Sequence, residues 1–280
     1  MTTLANKTIL VTGGLQGLGK AITSRIIEDR DLNLILLAKD KNEATDQFLT
    51  QARTNYGVEA RFVSTDIRDV DSINAAVDKI VSLYGGIDIL IHAATVMITQ
   101  HGHMIPQAQY DLSCDINSRS SFLLAKSCFP YLSQSKHAHI LNIAPPINLD
   151  PKILGSYTTY AASQYMRSMI TVGLANHTDW IKNEISVNAL WPLKQYKSGE
   201  NVLMYQSHTQ QQLDLKDISI IGDAAHAIIS KPYGAYNGEF FYDEEVLELA
   251  GIDFTTDDNI SDFENNPQYA RDSQHEDIFA

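Results

Sequence analysis

The sequence predicts an α/β protein with a single doubly wound parallel sheet between two helical layers. Three observations predict it. Short apolar runs alternate with stretches of helical periodicity along most of the chain. The first run ends in the glycine-rich stretch TGGLQGLG, directly before a helical pattern. The 280 residues, 44% of them hydrophobic, are enough for one large core.

TILVTG (8–13) reads as a buried strand and LGKAITSRIIEDR (18–30) as the helix after it. LNLILLA (32–38) is a second strand, a polar helix follows over 41–56, and ARFVSTD (60–66) is a third strand. INAAVDKIVSLYG (73–85) is helical and IDILIHAA (87–94) is a fourth strand. Helices occupy 108–134, HAHILNIA (137–144) is a fifth strand, and 158–176 is a helix. EISVNALWP (184–192) is a sixth strand and GEFFYDE (238–244) a seventh. Strands that read as near-continuous apolar runs are covered on both faces, and right-handed crossovers wind such a chain into a Rossmann sheet. The domain spans 1–251, and 252–280 reads as an acidic tail poor in apolar residues. Residues 194–216 interrupt the rhythm and fit a segment over a pocket.

The net charge of −13 argues against nucleic acid or an anionic membrane as partner. No apolar run reaches the roughly 18 residues that span a bilayer. The chain passes from its first residues almost directly into a strand, so no signal peptide is expected and a cytoplasmic location is. Cys114 and Cys128, the two cysteines, offer neither metal spacing nor a disulfide framework and read as reduced structural thiols. His101 with His103, and His137 with His139, read as solvated loop and strand-edge residues. Met166 and Met169 read as core filling.

Gly13, Gly17 and Gly19 let a backbone approach a pyrophosphate, with the helix N-terminus supplying free N–H groups. At the end of the second strand an acid binds a ribose 2′-hydroxyl, and a base accepts a 2′-phosphate. Lys39 comes first and Asp40 follows, which favours NADP over NAD. Asp66, ending the third strand, is placed to accept from an adenine amino group.

TGxxxGxG, Asp66, Asn117 and Tyr160, in this order, resemble the short-chain dehydrogenase/reductase family over roughly residues 5–250. GGIDILIHAA, ISVNALWP and the Pro145-Pro146 pair are similar to its hydroxysteroid-dehydrogenase-like branch. Larger members there carry a sterol-carrier domain, for which 280 residues leave no room. The resemblance implies a homodimer or homotetramer, a small-molecule substrate with a carbonyl/alcohol pair, and an Asn-Ser-Tyr-Lys site. It places cofactor contacts at Thr12, Gly13, Gly17, Leu18, Gly19, Lys39, Asp66, Ile67, Ala93, Ala94, Tyr160, Gln164 and Pro192.

The family's Asn falls on Asn117 and its Tyr on Tyr160, but its Lys falls on Gln164 and its Ser on Ala144-Pro145. The Asn-Asn-Ala-Gly after the fourth strand is His92-Ala93-Ala94-Thr95. A free tyrosine, with its pKa near 10, is about one part in a thousand ionised at pH 7, and a lysine at i+4 favours the phenolate. Gln164 can hydrogen-bond a ribose but carries no charge. The expectation is therefore a weak or unusual oxidoreductase, better at reduction than oxidation, or a non-catalytic cofactor-binding subunit. Lys152, Lys194, Asn148, Ser156 and Thr159 are the candidates to replace the lost groups.

Overall fold

A computed structural model describes residues 4–98, 102–192 and 217–252. The strands are β1 (Thr8–Thr12), β2 (Asn33–Ala38), β3 (Glu59–Ser64), β4 (Ile89–His92), β5 (His139–Ile143), β6 (Ser186–Trp191) and β7 (Phe240–Tyr242). They form one parallel sheet in the order β3-β2-β1-β4-β5-β6-β7. The order reverses between β1 and β4, where a doubly wound sheet opens a crevice at its C-terminal edge.

The helices are α1 (Gly17–Ile26), α2 (Glu43–Tyr56), α3 (Val70–Tyr84), α4 (Gln107–Cys114), α5 (Ser120–Leu132), α6 (Pro151–Ala175) and α7 (Thr178–Lys182). After the undescribed 193–216 come α8 (Ser219–Ile229) and α9 (Asp243–Ala250). Successive strand residues point to opposite faces. Ile9, Val11, Leu34 and Leu36 therefore pack with Ile22 of α1, Phe48 of α2 and Ile228 of α8. Leu10, Ile35 and Leu37 pack with Val77 of α3, Leu124 of α5 and Leu174 of α6.

Local chemistry sets the boundaries. Asn42 caps α2 in a reciprocal capping box with Thr45, and Gly57 ends that helix at φ +70°. Asp69 caps α3 by accepting from the Asp71 amide. Tyr157 leaves helical geometry (φ −130°, ψ 32°), so α6 is kinked just where the sequence pattern begins its helix at 158. A π turn, Asp115–Arg119, joins α4 to α5.

Some expectations are corrected. GEFFYDE is split, because strand β7 ends at Tyr242 and α9 starts at Asp243. His137 and His139 are buried, not solvated: their Nε2 atoms bond the Ile229 and Lys231 carbonyl oxygens at 2.7 and 2.8 Å, tying β5 to the end of α8. Burial lowers both pKa values, that of His139 to about 3. Met166 and Met169 lie on the exposed side of α6 and do not fill the core. The acidic tail from 253, Lys194 and the segment 194–216 lie outside the described residues, as does His101.

Candidate active site

The glycine turn leaves β1 and immediately becomes α1. Gly13 sits at φ +69°, and a Cβ there would come within 2.7 Å of the Ala94 backbone. The turn after β1 therefore touches the turn after β4. At Gly19 a Cβ would lie 2.1 Å from the Gly13 carbonyl oxygen, so only glycine lets the helix start against its own turn. Gly17, at φ +49°, faces open space. Gln16 gives no side-chain cap to α1, so the first-turn amides around Leu18 have no side-chain partner there. An open, uncapped helix N-terminus behind positive-φ glycines fits a pyrophosphate.

Thr12 does not face this opening. Its hydroxyl lies 2.7 Å from His92 Nδ1 and accepts from the Ala94 amide at 3.2 Å. His92 Nε2 is 2.9 Å from the Ser120 hydroxyl, so the ring ties β1, β4 and α5 together. Burial first, and the Arg167 charge second, keep this imidazole neutral.

Lys39 follows β2 directly and is largely exposed, with its ammonium 3.5 Å from Asp66. Asp66 is held by Arg68, whose Nε donates to it at 2.8 Å, and that hydrogen bond chiefly keeps the carboxyl well below the usual carboxylate range. Arg68 escaped the sequence reading because a basic residue two positions after a strand carries no signature. Ile67 is buried in the cluster that holds Ile35 and Val63. Pro192, half-buried, follows β6.

Asn117 lies in the π turn and is fully buried. Its Oδ1 accepts from the Val96 amide at 2.8 Å and the Thr95 hydroxyl at 3.1 Å, and its Nδ2 donates to the Val96 carbonyl and to Ser163 Oγ. Ser163 in turn donates to the Tyr160 carbonyl at 2.9 Å. Thr95 and Gln164 stand by the Tyr160 hydroxyl, and both pull its pKa down against the rise that burial causes. Gln164 Nε2 donates to Thr95 Oγ1, while Gln164 Oε1 is buried with no hydrogen-bond partner. That orphan acceptor fits a ribose hydroxyl.

The structure thus brings Asn117, Tyr160 and Gln164 together and adds Thr95, which the sequence reading recorded only as an altered glycine. Ala144 is buried against Ala189 and Trp191 and offers no hydroxyl. Ser156 donates to the Lys152 carbonyl on the exposed first turns of α6. Among the described residues no group of three His, Cys, Asp or Glu could hold a metal ion, and no helix is long and apolar enough to cross a membrane.

A parallel sheet with a glycine turn at its switch point, facing a tyrosine on a crossover helix, defines a nucleotide-binding oxidoreductase fold. The chain belongs to the short chain dehydrogenase family, which it matches over residues 7–194. It is 35% identical to hydroxysteroid dehydrogenase-like protein 2 of Pongo abelii over 255 residues, 89% of this chain and 59% of that protein. The Xenopus tropicalis protein of that name is 36% identical over 254 residues. The chain thus spans less than two thirds of the length of these curated relatives. Among solved structures, a short chain dehydrogenase of Mycobacterium thermoresistibile superposes with a TM-score of 0.78 at 29% identity, covering 89% of each chain. A Burkholderia cenocepacia short chain dehydrogenase in complex with NADP superposes at 0.74 with 20% identity, covering 86% of this chain and 97% of that one.

Proposed function

We propose that the protein is an NADPH-dependent reductase of a small carbonyl compound, with Tyr160 as proton donor. The observation that carries this reading is Tyr160 standing by the hydrogen-bonded group of Thr95, Gln164 and Asn117, next to the glycine turn. When bound, the dihydronicotinamide supplies a hydride to the carbonyl carbon. Tyr160 gives its hydroxyl proton to the carbonyl oxygen, the O–H bond of the phenol breaking as that of the product alcohol forms. Thr95 is the second donor toward that oxygen, in place of the serine missing at 144, its one hydroxyl hydrogen turning there from Asn117 Oδ1. Gln164 holds the nicotinamide ribose through Oε1, and the first-turn amides of α1, from Gly17 to Gly19, hold the pyrophosphate.

Lys39 and Arg68, the two cations that flank Asp66, support NADP over NAD, since a basic group after β2 accepts a 2′-phosphate. The NADP complex of the Burkholderia protein supports the same choice. Exposed Tyr110, Phe122, Met166 and Met169 on α4, α5 and α6 support a homodimer or homotetramer. Residues 1–251 are taken as the working domain and 252–280 as an acidic extension.

A second reading, a cofactor-binding subunit without turnover, is favoured by Ala144 and by the uncharged Gln164. A carbonyl screen with NADPH separates the two. The reductase reading expects Tyr160→Phe to lower turnover at least about a hundredfold while NADPH binding stays within about threefold. Turnover unchanged by that substitution contradicts it.

A further inference from the structure

Arg167 is fully buried, and the resemblance gives it no role. It lies three residues beyond Gln164 and seven beyond Tyr160 on α6, two helical turns from the tyrosine. Long helical side chains lean back toward the N-terminus, which brings its guanidinium beneath the Tyr160 end of the site. Its donors go to main-chain carbonyls from three separate segments. Nε donates to Asn117 O in the π turn, at 2.5 Å. Nη1 donates to Ile143 O at the end of β5, at 2.7 Å. Nη2 donates to Ala94 O after β4 at 2.7 Å and to Ile116 O at 3.3 Å. Burial lowers its pKa but leaves it cationic, and Tyr160 is the titratable group that favours its charge.

A buried guanidinium paired with carbonyl dipoles and no carboxylate is expensive to keep. Its charge is not cancelled, so it acts on whatever ionisable group stands near. On the other side, burial pushes the Tyr160 phenol up and the Arg167 charge pulls it back down. Tyr160 is faced by Arg167 and by Tyr165 of its own helix, and by the uncharged Thr95 and Gln164; neutral His92 faces Arg167 from β4.

We propose that Arg167 supplies from below the fixed positive charge that stabilises the Tyr160 phenolate, a task Gln164 cannot perform, while its Nε–H holds the Asn117 carbonyl. Arg167 is then an electrostatic positioning residue that acts through Tyr160. It rests on the reading of Tyr160 as proton donor: the phenolate is what remains when the phenolic proton passes to the carbonyl oxygen, and the cation lowers the cost of leaving it. The charge has moved from i+4 to i+7 on one helix face and from the open cleft into the core. There it cannot also hold a ribose, which leaves that task to Gln164.

The test is the ionisation of Tyr160 itself, followed by NMR of protein carrying [ζ-¹³C]tyrosine, the resonance being assigned by its loss in Tyr160→Phe. Arg167→Met is expected to raise the Tyr160 titration by about one to two pH units, a ten- to hundredfold smaller phenolate fraction at fixed alkaline pH. Arg167→Lys is expected to stay within about half a unit of the parent, because the charge is kept. Gln164→Lys/Arg167→Met is expected to recover the parent titration by restoring a cation at i+4. If Arg167→Met does not fold, Arg167→Gln, which keeps two donors, carries the same comparison. A Tyr160 titration that does not move in the folded neutral variant overturns the inference. The readout needs neither substrate nor cofactor. Failure of the proposed reaction therefore shows as absent turnover with the Arg167 effect intact, and failure of this inference as an unmoved titration.

Discussion

Gly19→Ala places a methyl carbon 2.1 Å from the Gly13 carbonyl oxygen and 2.8 Å from its carbonyl carbon. Ordinary contact needs roughly 3.2 Å or more, so the start of α1 must part from its turn by about 1 Å. The opposing atoms are backbone, and no side chain can swing away. Hydrogen bonds from the first-turn amides to a pyrophosphate are charge-assisted, at about 1.5–3 kcal/mol each, and a 1 Å displacement is enough to lose at least one. NADPH affinity is therefore expected to fall about tenfold to a hundredfold. Isothermal titration calorimetry reads this, with circular dichroism to confirm that the fold is kept. Gly17→Ala is the contrasting variant. A Cβ there meets nothing within 4 Å, but φ is +49°, so the protein alone should lose about 1–2 kcal/mol of stability through backbone strain. A folded Gly19→Ala protein that binds NADPH as the parent does would refute the assignment of this turn as the pyrophosphate cradle.

Lys39→Ala should weaken NADPH about tenfold by removing a charged partner of the 2′-phosphate and leave NADH within about twofold, measured by parallel titrations. Stability should be flat above about pH 6.5 and fall as acid is added. Burial lowers the His139 pKa to about 3, so below the ordinary histidine value the unfolded chain takes up a proton that the folded one refuses. The slope is about 1.4 kcal/mol per pH unit for each such histidine, and urea unfolding from pH 7 to 4.5 checks it, with His139→Gln expected to flatten the curve. His92→Ala removes the links to Thr12 and Ser120 from a fully buried site and should cost about 2–4 kcal/mol, read as a lower Tm.

Much of the sheet was legible because buried parallel strands write themselves as apolar runs such as TILVT and ILIH, and because the glycine turn has a spacing with a mechanical reason. Helix α8 was not read from the sequence: SIIGDAAHAII is buried on nearly every side, packed against α1 and β5, so few polar residues mark it out. The first turns of α6 were missed because the kink at Tyr157 breaks the pattern that starts again at 158. Asn117, Tyr160 and Gln164 were legible by position along the chain. Thr95 and Arg167 were not, because each owes its place to another part of the fold. Thr95 reaches Tyr160 only once the turn after β4 meets α6, and Arg167 is held by carbonyls after β4, at the end of β5 and in the π turn. The same reasoning corrects His137 and His139, whose partners lie 92 residues away in sequence.

The central claim is that the glycine turn and the Tyr160 cluster form one working nicotinamide site. The most direct measurement is a titration of the wild-type protein with NADPH and, in parallel, NADH. Energy transfer from its tryptophans to the dihydronicotinamide provides the signal, Trp191 standing at the end of β6. The account predicts saturable transfer with both, tighter with NADPH, and loss of that preference in Lys39→Ala. No saturation with either nucleotide up to millimolar concentration would contradict it.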